Sequence, residues 1–260
     1  MDSGDSIKEL VREKYGRIAE APRVSGCNSA ELSCFSDDYT QLAGYVPEAD
    51  LGLGCGVPTE VARIKAGDTV LDLGSGAGND AFVARSIAGE SGRVIGVDMT
   101  QSMIDKARTN AATLGYSNVE FRLGDIESLP VDNDAIDVVI SNCVLNLTPN
   151  KRKAYSEISR VLRPGGHFSI SDIVSLGDLP EGVLKSAEAY AGCVAGAMRK
   201  EEYLALIQDS GFVNVQVAKE KSLAIPDELI RDVLPAEAFE AGRRSANLLV
   251  SITVYGEKRS

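Results

Sequence analysis

Apolar positions recur at helical spacing near the start of the chain. Ile7, Leu10, Val11, Tyr15, Ile18 and Ala19 predict an amphipathic helix over 5–20. Residues 21–66 hold no period and read as irregular. From Thr69 short apolar runs alternate with helical stretches. TVLDL (69–73), RVIGV (93–97), NVEFRL (118–123), AIDVVIS (135–141) and HFSISDI (167–173) predict five strands. A helix to about Ala88 follows the first. Thr100 caps the next, whose Met103, Ile104, Ala107, Ala111 and Leu114 share a face. Thr148 and Pro149 read as N-cap and N1 of a third helix, stopped by Arg163-Pro164-Gly165-Gly166. Helices near 180–191 and 199–209, strands over 212–218 and 247–255, and a mixed stretch over 225–245 complete the chain. The βαβαβ rhythm predicts a parallel, doubly wound sheet.

Composition changes the picture in three places. The chain has 260 residues with 27 basic and 38 acidic side chains, a net charge of −11, which disfavours a nucleic acid or an anionic membrane as partner. No apolar stretch has the length of a membrane span, and the first ten residues lack the pattern of a secretory signal, so the expected location is cytoplasmic. Five cysteines (Cys27, Cys34, Cys55, Cys143, Cys193), an odd number with no CxxC pair, argue against a disulfide framework. The one histidine, His167, leaves little room for imidazole chemistry and reads as a structural strand residue.

The candidate chemistry begins at VLDLGSGAGND (70–80). Gly74, Gly76 and Gly78 lie between a strand and a helix N-terminus, where backbone approaches a ligand without an intervening side chain. Asp98 ends the second strand, placed to accept ribose hydroxyls, and Gly124-Asp125-Ile126 follows the third. Together these residues resemble the class I S-adenosylmethionine-dependent methyltransferases over 69–172, with VLRPGGHF (161–168) as a further match. The resemblance implies an α/β, Rossmann-like sheet of seven strands with an antiparallel seventh. It implies that Asp72, Gly74, Ser75, Gly76 and Gly78 meet the methionine part of the cofactor, Asp98 and Met99 the ribose region, Asp125 and Ile126 the adenine, and that Asn142 completes the set. The expected layout is an N-terminal helix and cysteine-containing loop (1–66), a cofactor-binding core (67–175), and a C-terminal α+β part completing the sheet (176–260).

The end of the fourth strand reads Ser141-Asn142-Cys143-Val144, not the Asn/Asp-Pro-Pro-aromatic run of enzymes that methylate bases. Three cysteine segments, LGLGCGVP with Cys55, SNCVLNLTPNK with Cys143 and AYAGCVAGAM with Cys193, resemble the arsenite S-adenosylmethionine methyltransferases. The resemblance implies that Cys55, Cys143 and Cys193 bind trivalent arsenic as catalytic ligands. It also implies that Cys27 or Cys34 is redox-active, and that thioredoxin or glutathione supplies reducing thiols. Sulfur suits a soft, thiophilic element. Gly54, Gly56, Gly192 and Gly196 are expected to let loops close over it. Two alternatives stay open: a methyltransferase of another small organic acceptor, and a non-catalytic metalloid-binding protein.

Overall fold

The computed structural model describes residues 3–20, 37–179, 196–223, 231, 239–246 and 248–260. Cys27, Cys34, Cys193, Gly192 and the helix expected near 180–191 lie outside the described residues.

Helix α1 (Ser3–Glu20) precedes an irregular stretch with two short 3-10 turns, Pro47–Ala49 and Pro58–Glu60. Then come β1 (Thr69–Leu73), α2 (Asn79–Ala88), β2 (Arg93–Asp98), α3 (Gln101–Thr113), β3 (Val119–Leu123), β4 (Ile136–Asn142), α4 (Lys151–Val161) and β5 (Leu162–Ser175). The last elements are α5 (Lys200–Asp209), β6 (Phe212–Ser222), α6 (Phe239–Ala246) and β7 (Leu249–Lys258). The seven strands form one sheet in the order β3-β2-β1-β4-β5-β7-β6. Strands β1 to β5 pair in parallel, and β7 is antiparallel to β5 and β6, as the resemblance implies.

Parallel strands covered on both faces read as nearly continuous apolar runs, and β1 and β4 do. Their alternate residues feed two cores. Val70, Val94, Val138 and Ile140 pack with Phe82 and Ala84 of α2 and Ile104 and Ala107 of α3. Leu71, Leu73, Val139 and Ile170 pack on the other face with Tyr155 and Ile158 of α4 and Tyr203 and Ile207 of α5. Strand order reverses at β1, whose two neighbours are β2 and β4. A crevice therefore opens beyond the carboxyl ends of β1 and β4, the usual ligand position in such sheets.

Four local expectations need correction. The third helix starts two residues later than Thr148-Pro149 suggests. The Thr148 N–H is spent on the Leu145 carbonyl at the end of the turn Leu145–Leu147. Asn150 is the N-cap instead, its side chain accepting from the Lys153 N–H at 3.0 Å. Thr100 is the N-cap of α3 but makes no side-chain capping bond; its own N–H is held by Asp98 Oδ1 at 2.8 Å. Leu114 is the C-cap of α3 and is exposed, whereas Met103, Ile104, Ala107 and Ala111 are buried as expected. Strands β5, β6 and β7 run beyond the apolar runs that signalled them, because sheet pairing extends over flanking polar residues.

Candidate active site

The crevice is lined by the carboxyl ends of β1, β2 and β4, the loops after them, the 49–54 loop and α1. Of the residues assigned to a cofactor, Asp72, Gly74, Ser75, Gly76, Asp98, Met99, Asp125, Ile126 and Asn142 line it. Gly78 does not line it. With φ at 101°, it is the N-cap of α2, and a Cβ there would lie 2.8 Å from the ring of Phe82 and 2.9 Å from that of Phe121. Its smallness serves helix–sheet packing. Gly74 and Gly76 also have positive φ, 65° and 51°, and a Cβ on Gly74 would run into Val144.

Five aspartates line this crevice, Asp50, Asp72, Asp80, Asp98 and Asp125, and burial raises three of them. Burial, then the charges of Asp80 and Asp98, pushes the Asp72 carboxyl well above its ordinary range. Burial pushes Asp80 up to about 6, against the hydrogen bonds of Asn142 and Tyr39. Burial also raises Asp98, although it accepts from the backbone N–H of Thr100 (2.8 Å) and Gly76 (3.0 Å). Asp72 Oδ2, Ser75 Oγ and Asn79 Oδ1 are buried with no hydrogen-bond partner among the described residues. A crevice crowded with carboxyl groups that burial keeps from ionising, and with unpaired polar atoms, fits a ligand that brings positive charge and donors. S-adenosylmethionine, with its sulfonium and ammonium groups, has that chemistry.

The end of the crevice assigned to adenine by resemblance is roofed by α1, which sequence reasoning did not connect to the site. Lys8, Val11 and Tyr15 line the crevice. Lys8 Nζ lies 2.7 Å from Asp125 Oδ2 and 2.9 Å from Glu127 Oε2. Burial opposes ionisation of Asp125, but the Lys8 hydrogen bond, the Glu127 N–H and the charges of Lys8 and Lys153 together hold the carboxyl below its ordinary value. The carboxylate assigned to adenine is thus already engaged by a lysine from the N-terminal helix.

The structure brings two of the three assigned arsenic ligands to one residue. Cys143 follows Asn142 at the end of β4, lines the crevice and is 5% exposed. Its φ of 61° is unusual for a residue with a Cβ, and its N–H is held by the Ser171 carbonyl at 2.7 Å. Strain of this kind concentrates at functional sites. Cys55 is 1% exposed. Its N–H donates to Asn142 Oδ1 at 3.0 Å, and its carbonyl accepts from Ser251 Oγ of β7 at 2.5 Å.

The glycines beside Cys55 sit at close approaches to neighbouring side chains. A Cβ on Gly54 would sit 2.5 Å from Asn142 Nδ2, and one on Gly56 would sit 2.6 Å from Ser171 Oγ. They permit close packing, and the loop is held here through the Cys55 backbone. A Cβ on Gly196 would likewise meet the Asn146 carbonyl. His167 stands outside the crevice. Its Nε2 is 2.6 Å from the Ala62 carbonyl, its ring is tilted on Tyr255 at 5.3 Å, and burial lowers its pKa, in line with a structural role.

Comparison with known proteins places this geometry. Residues 64–211 match the methyltransferase domain family. An arsenite methyltransferase of Halobacterium salinarum is 42% identical over 98% of this chain and 67% of its own length. Another, of Aquipseudomonas alcaligenes, is 34% identical over 90% of this chain and 70% of its own. The chain thus spans about two thirds of these relatives. An arsenic(III) S-adenosylmethionine methyltransferase of Chlamydomonas reinhardtii superposes with a TM-score of 0.67 at 34% identity, covering 79% of this chain and 68% of that one. With its seven-stranded sheet, its carboxylate-rich crevice and Cys143 at the crevice wall, the chain belongs to the arsenite methyltransferase family of S-adenosylmethionine-dependent methyltransferases.

Proposed function

We propose that this protein transfers methyl groups from S-adenosylmethionine to trivalent arsenic held on Cys55, Cys143 and Cys193, converting arsenite into methylated arsenicals and so detoxifying it. The observation that carries the reading is Asn142. It lines the crevice, precedes Cys143 in the chain and accepts the Cys55 N–H at 3.0 Å. S-adenosylmethionine supplies an electrophilic methyl group on a sulfonium sulfur.

The residues of the chain do the rest. Each cysteine thiol replaces one hydroxyl of arsenite, forming an As–S bond and releasing water. Arsenic on three thiolates keeps a lone pair and carries no proton. No base is needed to expose that lone pair, which fits a site whose one histidine is engaged elsewhere. Asp72 and Asp98 orient the cofactor, and Val11 and Tyr15 of α1 keep water from its far end. Near-attack alignment of this kind is worth on the order of 7–11 kcal/mol.

A methyl cation added to the arsenic lone pair leaves arsenic formally pentavalent, so continued turnover needs a reductant. We assign that role to thioredoxin or glutathione, acting with Cys27 or Cys34. The requirement for reduced thiols favours a cytoplasmic location. Among the described residues no helix is long and apolar enough to cross a membrane.

The test is product speciation by mass spectrometry after incubation with arsenite, cofactor and a thiol reductant. Methylated arsenicals should form together with S-adenosylhomocysteine. Cofactor turnover that leaves all arsenic unmethylated would reject the reading in favour of another acceptor.

The acidic crevice makes a second expectation. Asp80, which faces Asp72, Asp50, Tyr39 and Asn142, ionises only as the pH rises through about 6. The ionised form attracts a cationic ligand, so cofactor affinity should rise between pH 5 and pH 7, by up to about tenfold for each pKa unit that binding removes. Raised carboxyl groups stabilise the ligand-free fold most at low pH, and that contribution is lost as pH climbs through the raised values. The rise in melting temperature caused by S-adenosylmethionine should therefore be larger at pH 7.5 than at pH 5. Calorimetry and thermal melts read both, and a flat profile would remove these carboxylates as counter-charges.

A further inference from the structure

Tyr39 comes from an irregular stretch, yet it is 3% exposed. Its ring packs with Val57 and Val83. Its hydroxyl lies 2.8 Å from Asp80 Oδ1 and 2.9 Å from the Gly56 carbonyl. The Asn142 amide nitrogen lies 2.8 Å from the same carbonyl, 2.9 Å from Tyr39 Oη and 3.0 Å from Asp80 Oδ2. One hydroxyl proton and two amide protons thus meet the two oxygens of Asp80 and one backbone carbonyl. Every proton finds an acceptor when Tyr39 donates to Asp80 Oδ1 while Asn142 donates to Asp80 Oδ2 and to Gly56. The amide oxygen of Asn142 is then turned toward Cys55, whose N–H it accepts.

We propose that Tyr39 and Asp80 are positioning residues for arsenic capture, locking Asn142 in the one orientation that holds the Cys55 backbone beside Cys143. Packing alone does not account for the cluster. Val57 and Val83 supply the apolar contacts, and a buried carboxylate among them is costly unless its bonds are complete. Complete networks of this type specify a single arrangement, which a multidentate thiolate site needs before the metalloid arrives. With Asp80 lost, the Asn142 amide is free to flip and present its NH2 to the Cys55 N–H, donor against donor. With the Tyr39 hydroxyl lost, one oxygen of Asp80 loses its donor and the Gly56 carbonyl loses a neighbour. The inference rests on the reading that Cys55 binds arsenic, and the experiment separates the two.

Tyr39→Phe keeps the ring and its packing and removes only the hydroxyl. Asp80→Asn keeps the shape and removes the charge. Both are compared with Cys55→Ser and the unaltered protein. Arsenite binding is measured by equilibrium dialysis with elemental mass spectrometry, S-adenosylhomocysteine binding by calorimetry, and steady-state constants for both substrates by product speciation. In Tyr39→Phe the Kd and KM for arsenite should rise about fivefold to tenfold, the scale of one lost buried hydrogen bond. Its kcat at saturating arsenite and its affinity for S-adenosylhomocysteine should stay within about twofold. Asp80→Asn should raise the arsenite constants further. If Asp80→Asn does not fold, Tyr39→Phe alone decides. Arsenite constants unchanged in Tyr39→Phe while Cys55→Ser loses arsenite binding would overturn the positioning role only. In Tyr39→Phe, equal losses in arsenite and cofactor constants and in kcat would also overturn it, since they mark a general loosening of the fold; Asp80→Asn is expected to weaken cofactor binding as well, because it removes a counter-charge. Arsenite binding unchanged in Cys55→Ser would remove Cys55 as a ligand, and the positioning role with it.

Discussion

Serine in place of Cys143 is expected to cut arsenite methylation by at least about a hundredfold, or close to 3 kcal/mol in the barrier, with S-adenosylhomocysteine binding nearly unchanged. The two side chains are nearly the same size, so the backbone at φ 61° and the bond from the Cys143 N–H to the Ser171 carbonyl should survive. What is lost is the soft donor. A hydroxyl exchanges with water for arsenic, whereas a thiolate outcompetes it. Cys55→Ser should behave alike, since its N–H and carbonyl remain tied to Asn142 and Ser251 whichever atom the side chain carries. Speciation of arsenicals and calorimetry with S-adenosylhomocysteine check both variants. More than about a tenth of the original activity in Cys143→Ser would show that arsenic is held elsewhere.

How far the site was legible follows the range of the interactions that build it. The run from β1 through α2 to β2 was readable nearly to the residue, because apolar runs, glycines and a terminal carboxylate are local signals. The same locality placed Asp72, Gly74, Gly76 and Asp98 on the crevice wall. At the start of α4 two capping signals compete. Thr148-Pro149 carries the familiar pattern, but a preceding 3-10 turn uses the Thr148 N–H and hands the cap to Asn150. Gly78, Gly54 and Gly56 show a different failure. A glycine in a glycine-rich run reads as ligand approach or as mobility, but here each faces a neighbour that leaves no room for a Cβ. Only tertiary packing separates those meanings.

The contacts missed entirely are the long ones. Lys8 meets Asp125 across 117 positions, and Asn142 meets Tyr39 across 103. Tyr39 lies in a stretch without periodicity, so nothing local marks it as buried. Asp80 did carry a signal, being the acidic residue in the first turn of the helix after the glycines. An acidic residue at a helix start is a common local pattern, and it carries no information about a bond to Tyr39. The proposed three-thiolate arrangement rests on family resemblance alone: Cys55 and Cys143 are 88 positions apart and are linked only through the Asn142 side chain, and Cys193 lies outside the described residues.

Asp98 shows how one carboxylate does both kinds of work, and its replacement should have the second large effect. Its Oδ2 accepts from the Gly76 N–H at 3.0 Å and its Oδ1 from the Thr100 N–H at 2.8 Å. It therefore ties the glycine turn to the end of β2 and anchors the start of α3, and it also lines the crevice. A hydrogen bond to a charged group is worth about 1.5–3 kcal/mol, or roughly tenfold to 150-fold in affinity. Asp98→Ala removes the acceptor for ribose and leaves two backbone donors without partners, so S-adenosylhomocysteine affinity should fall by about a hundredfold. Asp98→Asn retains one acceptor oxygen and should lose only about tenfold. Arsenite binding should hardly change in either, because the backbones of Cys55 and Cys143 are fastened to Asn142, Ser171 and Ser251, not to Asp98. Calorimetry with S-adenosylhomocysteine and dialysis with arsenite separate the two ligands. Cofactor affinity that survives Asp98→Ala would refute the ribose assignment, while parallel loss of arsenite binding would show that Asp98 supports the whole site and not the cofactor alone.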